Sequence, residues 1–98
     1  MIQVKKIYSE NELTGLKIHG HSQSNSSGKD LICAGVSSIV TGGFNALDPS
    51  EIETVALEEG YAEVKLIPGS GKSKTVLEVI LVQLETIAES YPQFIRIK

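Results

Sequence analysis

The apolar residues of this chain switch between two repeats, and that switching restricts the fold more than any single motif does. Residues 2–8 (IQVKKIY) and 13–19 (LTGLKIH) each carry a short alternating apolar pattern, as at Ile2 and Val4 and at Leu16 and Ile18, the spacing of a strand with one buried face. Ser9 to Asn11 between them has turn chemistry, so the two stretches read as an antiparallel hairpin. From Asp30 the repeat becomes helical: Ile32, Val36, Ile39, Val40 and Leu47 fall on one stripe, and Asp48-Pro49-Ser50 ends it. Gly35, Gly42 and Gly43 inside that stretch cost about 1 kcal/mol each relative to alanine. Either another element approaches closely there or the helix is shorter.

Residues 53–58 and 61–67 alternate again around Glu59-Gly60 and predict a second hairpin, with Ala62, Val64 and Leu66 toward the core and Tyr61, Glu63 and Lys65 outward. Pro68 to Ser73 reads as a loop. A long amphipathic helix follows, with Val76, Leu77, Ile80, Leu81, Leu84, Ile87, Ala88 and Tyr91 on one broad face. Thr75 and Glu78 fit a capping box at its start, and Tyr91-Pro92 stops it before a short strand over 94–98. The order ββαββαβ implies an α+β fold of two layers, with two helices on a mostly antiparallel sheet.

At 98 residues the expectation is a single domain spanning 1–98. A hydrophobic fraction of 41% with 21% charged residues is ordinary for a soluble globular protein. No run approaches membrane-spanning length, and the alternating start MIQVKKIYSE is unlike a signal peptide, so a cytoplasmic location is expected. The Asn25-Ser26-Ser27 sequon has no meaning without secretion. A net charge of −3 speaks against direct nucleic-acid binding, which needs a basic face. One cysteine allows neither an internal disulfide nor a thiolate zinc cluster, and leaves a buried filler, a reactive thiol or an intermolecular link.

The chemistry concentrates between His19 and Ser37, HGHSQSNSSGKDLICAGVS, which holds both histidines and the cysteine. The loop from His21 to Lys29 is rich in serine and has few apolar residues to order it, so mobility is expected there. Asp30 is a good N-cap for the helix, which sets Cys33 in the first turn. A helix N-terminus and a nearby imidazolium both favour the thiolate form of a cysteine. His21, at the far end of the loop, is placed to swing toward the sulfur as general base and then protonate a leaving amine. First-turn N–H groups can hold an oxyanion. Asp30 can orient the imidazole, and Ser37, one turn after Cys33, can reach the sulfur or the ring. The ordinary alternative is a small buried cysteine and a solvated histidine, cysteine being among the residues most often buried.

Gly20-His21-Ser22, then Gly28-Lys29-Asp30-Leu31-Ile32-Cys33-Ala34-Gly35-Val36-Ser37, resembles the motif of the ribosomal-processing cysteine protease family. That pattern is Gly-His-Ala or similar, a short variable segment, then Gly-x-Asp, an aliphatic pair and Cys-Ala-Ala-Val-Ser. Ser22 and Gly35 depart from it, each where alanine is usual. The resemblance extends over essentially the whole chain. It implies that Cys33 is the nucleophile and His21 its base, with Asp30 and Ser37 supporting. It also implies a substrate loop containing Ser22 and Gly28, a homodimer, no cofactor and no metal. The implied substrate is the N-terminal extension of the large-subunit ribosomal protein numbered twenty-seven, cut at a hydrophobic or aromatic motif. A non-catalytic ribosome-associated peptide-binding module is the other reading of such a chain, and a redox sensor linking Cys33 across a dimer a third.

Other features carry less. His19 with His21, Cys33 and Asp30 would be needed for a zinc site, and closeness in sequence does not supply the geometry. Gly69-Ser70-Gly71-Lys72-Ser73 has Leu66 where a phosphate-binding loop requires its first glycine, and reads as a turn before a helix. Glu51, Glu53, Glu58, Glu59 and Glu63 form a solvated acidic face that is also suited to a basic peptide.

Overall fold

Glu10 and Asn11 take φ of 52° and 66°, the left-handed region that a tight two-residue hairpin turn demands. They join β1 (Ile2–Ser9) to β2 (Glu12–His19) in antiparallel register, Val4 opposite Ile18. The computed structural model describes residues 1–20 and 29–98. Beyond β2 it contains α1 (Lys29–Asn45), a 3-10 turn (Pro49–Glu51), β3 (Ile52–Glu58), β4 (Tyr61–Leu66), α2 (Gly71–Ser90) and β5 (Ile95–Ile97). The sheet order is β3-β4-β2-β1-β5, antiparallel throughout except where β5 runs parallel to β1. The ββαββαβ order and the two-layer α+β class expected from the alternating repeats are those observed.

Both helices cover the same sheet face. Leu16 opposes Val64 and Ile18 opposes Ala62 across the central pair, and all four are buried in one cluster with Ile32, Val36, Val40 and Phe44 of α1 and Leu77, Ile80 and Leu84 of α2. Burying each of the valine, leucine, isoleucine and phenylalanine side chains contributes about 1.5–3 kcal/mol. The outward alternates Lys17, His19, Tyr61, Glu63 and Lys65 are exposed or half-buried, as the two-residue period requires. Gly43 resolves the glycine question for α1, because a Cβ there would sit 2.4 Å from Ile80 Cγ1. It is a point of close approach between the two helices. Gly42 faces open space.

The boundaries differ from expectation at several points. α1 starts at Lys29, so Asp30 is its second residue and not the residue before it. Leu47 is buried but lies past the end of α1, in the turn that leads to Asp48. α2 starts at Gly71, a full turn before the Thr75–Glu78 box, and Thr75 Oγ1 instead donates back to the Gly71 carbonyl at 3.4 Å. Tyr91, expected on the apolar face of α2, follows its last residue, is 43% exposed and stacks on Phe94.

The true start of α2 is made by contacts distant in sequence. Ser70 is the N-cap, but its hydroxyl donates to the Ile67 carbonyl, leaving the third helical N–H, that of Ser73, to donate to Glu51 Oε1 at 3.0 Å. Ser73 Oγ, fully buried, accepts from the Asp48 N–H at 3.0 Å. A carboxylate therefore already occupies this helix N-terminus, where a phosphate would have to sit. No described helix is long and apolar enough to cross a membrane.

Candidate active site

The glycines at the ends of two strands define one end of a cleft. Gly20, with φ of 98°, carries the chain away from β2 so close to the N-terminus that a Cβ would lie 2.4 Å from the Met1 carbonyl oxygen. Only glycine combines that approach with that φ. Its N–H donates to the Gly60 carbonyl at 3.0 Å, tying the exit of β2 to the β3–β4 turn. Gly60, with φ of 76°, lets that turn close in two residues. Between the turn and α1 runs a cleft of about 390 Å³.

Each wall has a distinct chemistry. From α1 come Cys33, Val36, Ser37, Val40 and Thr41; the residues 33, 37 and 41 follow one another at four-residue intervals and put a thiol and two hydroxyls along a single helical edge. From the hairpin come Leu57, Glu58, Glu59, Gly60 and Tyr61, with Ile2, Ile18 and Ala62 forming an apolar floor. Cys33 is half-buried within this cleft and packs against the core, while Ser37 is exposed. Leu31, two residues before Cys33, is 75% exposed.

Cys33 is the fifth residue of α1, at the start of the second turn. Its own N–H therefore falls within the i→i−4 ladder, and the unpaired N–H groups belong to the turn before it. Because every Cα–Cβ bond in a helix tilts toward the N-terminus, the thiol still leans over that first turn. Tyr61 points its hydroxyl away from this chemistry. It donates to the Glu63 carboxylate, and that bond, with a smaller desolvation contribution, raises its pKa, so it stays a neutral phenol; Lys17 Nζ lies 5.8 Å from its ring centre.

Of the residues singled out in the sequence, Cys33 and Ser37 share the cleft wall, and Asp30 is the second residue of the same helix. His21, Ser22 and Gly28, and with them the expected mobile loop, lie outside the described residues. His19 is exposed on the sheet face opposite the helices, and among the described residues no group of three His, Cys, Asp or Glu side chains could hold a metal. Sequence reasoning missed Thr41, Leu57 and Tyr61 as cleft residues. Thr41 was detectable, since it continues the interval that had pointed to Ser37. The contribution of Leu57 and Tyr61 depends on how β3 and β4 register against α1, which no local pattern encodes.

A thiol held on a helix at the wall of an open, apolar-floored cleft is suited to nucleophilic attack on a bound peptide, and the chain is a cysteine protease. It belongs to the family described as cysteine protease Prp, whose sequence profile matches residues 1–96. It is 35% identical over 96 residues to the ribosomal processing cysteine protease Prp of Mycoplasma pneumoniae, covering 94% of this chain and 90% of that one. To the protein of the same name from Staphylococcus aureus strain Mu50 it is 28% identical over 93 residues, covering 90% and 88%. Among solved structures it is similar to the essential ribosomal processing protease Prp of S. aureus in complex with a substrate peptide, with TM-score 0.86, 25% identity and coverage of 100% and 98%. The S. aureus protease with a covalently linked product peptide gives TM-score 0.82 at 26% identity, covering 100% and 98%.

Proposed function

We propose that this protease is a single domain, residues 1–98, that removes the N-terminal extension of the large-subunit ribosomal protein numbered twenty-seven, with Cys33 and His21 as its catalytic dyad. The Cys33 thiolate attacks the scissile carbonyl carbon, and the resulting oxyanion is met by N–H groups of the first turn of α1. His21, having taken the thiol proton, gives it to the departing amine as the C–N bond breaks, leaving a thioester on Cys33. His21 then deprotonates a water that attacks the thioester, and the acid product leaves with the thiolate restored. Asp30 orients the imidazole and Ser37 hydrogen-bonds within the dyad. Ser22 and Gly28 belong to the segment that closes on the peptide, and the enzyme works as a cytoplasmic homodimer without cofactor or metal.

The observation that carries this reading is the position of Cys33 on the wall of a peptide-sized cleft. A relative of the same fold is known with a substrate peptide and with a covalently linked product peptide, which is the behaviour of a nucleophilic thiol. The test is intact-mass analysis of the candidate ribosomal protein after incubation with this chain. A single N-terminal truncation, absent with Cys33→Ala and slowed by several orders of magnitude with His21→Ala, is expected. An uncut protein would remove the substrate assignment. Cleavage by the Cys33→Ala chain would remove the mechanism.

A further inference from the structure

The sheet ends at β3, and among the described residues its only strand partner is β4. Glu58 and Tyr61 flank the two-residue turn, which closes with a hydrogen bond between the carbonyl of the first and the N–H of the last. The alternation of an antiparallel ladder then turns Thr54, Ala56 and Glu58 toward β4 and directs the backbone N–H and C=O groups of Val55 and Leu57 off the edge of the sheet. The side chains of Val55 and Leu57 lie on the helix-covered face, since they oppose the buried Val64 and Ala62. Even so they are 52% and 47% exposed, because the helices do not reach over this strand. Outward backbone groups beside alternate exposed apolar side chains are what an added strand pairs with.

Charge selects the occupant. Glu53, Glu58 and Glu59 are all exposed, and no lysine or arginine occurs between residues 48 and 60. A second copy pairing edge to edge would bring carboxylates against carboxylates, whereas a cationic strand would neutralise them. Position does the rest: Leu57, Glu58 and Glu59 also line the cleft that holds Cys33, so the edge leads directly to the thiol. We propose that the open edge of β3, from Glu53 to Glu59, docks an extended cationic peptide segment as an additional strand, the segment that flanks the bond presented to Cys33. The last clause rests on the protease reading; the docking does not.

The test uses the full chain with Cys33→Ala, so that binding is read without cleavage. Fluorescence anisotropy is measured with a labelled peptide of alternating lysine and valine and with its glutamate–valine counterpart, alongside amide chemical shifts. The lysine peptide should bind, more weakly as salt rises, with shift changes centred on residues 54–58. The glutamate peptide should not. Glu53→Lys with Glu58→Lys should weaken binding by about tenfold or more, the loss of two favourable charge contacts. Val55→Pro, which removes an outward N–H at a position an edge strand tolerates, should weaken it as well. Equal binding of both peptides, shifts centred elsewhere, or indifference to the charge reversal would overturn the proposal. So would sedimentation showing that this edge joins two copies of the chain. If docking fails while the unmutated chain still cuts a peptide and Cys33→Ala does not, only the docking proposal falls.

Discussion

The first turns of the two helices have different surroundings. The start of α2 is closed by structure: Glu51 accepts from the N–H of Ser73, Ser70 is turned back onto Ile67, and the buried Ser73 hydroxyl accepts from Asp48. The start of α1 adjoins a cleft, with Cys33 leaning from the second turn onto the wall that it shares with Ser37. Both ends carry the same positive partial charge of a helix N-terminus. What can be compared is the first contact: a carboxylate of the chain itself holds the start of α2 in place, while the first α1 residue on the cleft wall is a thiol. The same backbone physics thus serves stability at α2, and under the proposed mechanism it serves chemistry at α1.

The largest effect expected from this contrast is at α1. Cys33→Ala should reduce peptide cleavage to background while leaving the thermal unfolding midpoint within a few degrees of the parent, since a half-buried cysteine loses little on truncation. A collapse of the midpoint would show that Cys33 is structural and that the two helix starts are more alike than described. At α2 the expectation reverses. Glu51→Ala should lower stability by about 1–2 kcal/mol, the usual cost of losing a helix cap, and leave turnover per folded molecule unchanged. Chemical denaturation paired with activity measured on the folded fraction reads both quantities. A loss of turnover without loss of stability would break the distinction.

The same contrast explains what was legible in the sequence. Element order was readable because both repeats are strong, and the core residues Leu16, Ile18, Ala62, Val64 and Leu77 follow from them. The start of α2 was misplaced because Thr75 and Glu78 mimic a local cap, while the real acceptor, Glu51, is 22 residues away from Ser73. At α1 the four-residue interval from Cys33 to Ser37, which both line the cleft, was readable from sequence, since spacing along one helix is local information. The opposite wall of the cleft was not readable, because Leu57 and Tyr61 reach it only through the pairing of β3 with β4 and of β4 with β2. The exposed Val55 and Leu57 show the limit of periodicity: alternation gives the face on which a side chain lies, but not whether a helix extends over it.

The smallest effect lies in the polar knot itself and separates charge from hydrogen bonding. Asp48 Oδ1 accepts from the Ser50 hydroxyl at 2.8 Å and from the Ser50 N–H at 2.9 Å. These bonds, chiefly the hydroxyl one, with a weaker attraction from Lys72, hold its carboxyl below the ordinary aspartate value. A depressed folded-state pKa means that the charged carboxylate stabilises the fold above the unfolded value of about 3.9, and that this contribution is lost as pH falls through the lower folded value. Asp48→Asn keeps an acceptor of similar shape and removes only the charge. The gap in unfolding midpoint between parent and variant should therefore be small and constant from neutral pH down to about pH 5, then close as the parent carboxyl protonates. A gap that persists in acid would mean that the amide disturbs the turn geometry. In that case the closed start of α2 depends on the shape of the Asp48-Ser50 turn, and its charge is incidental.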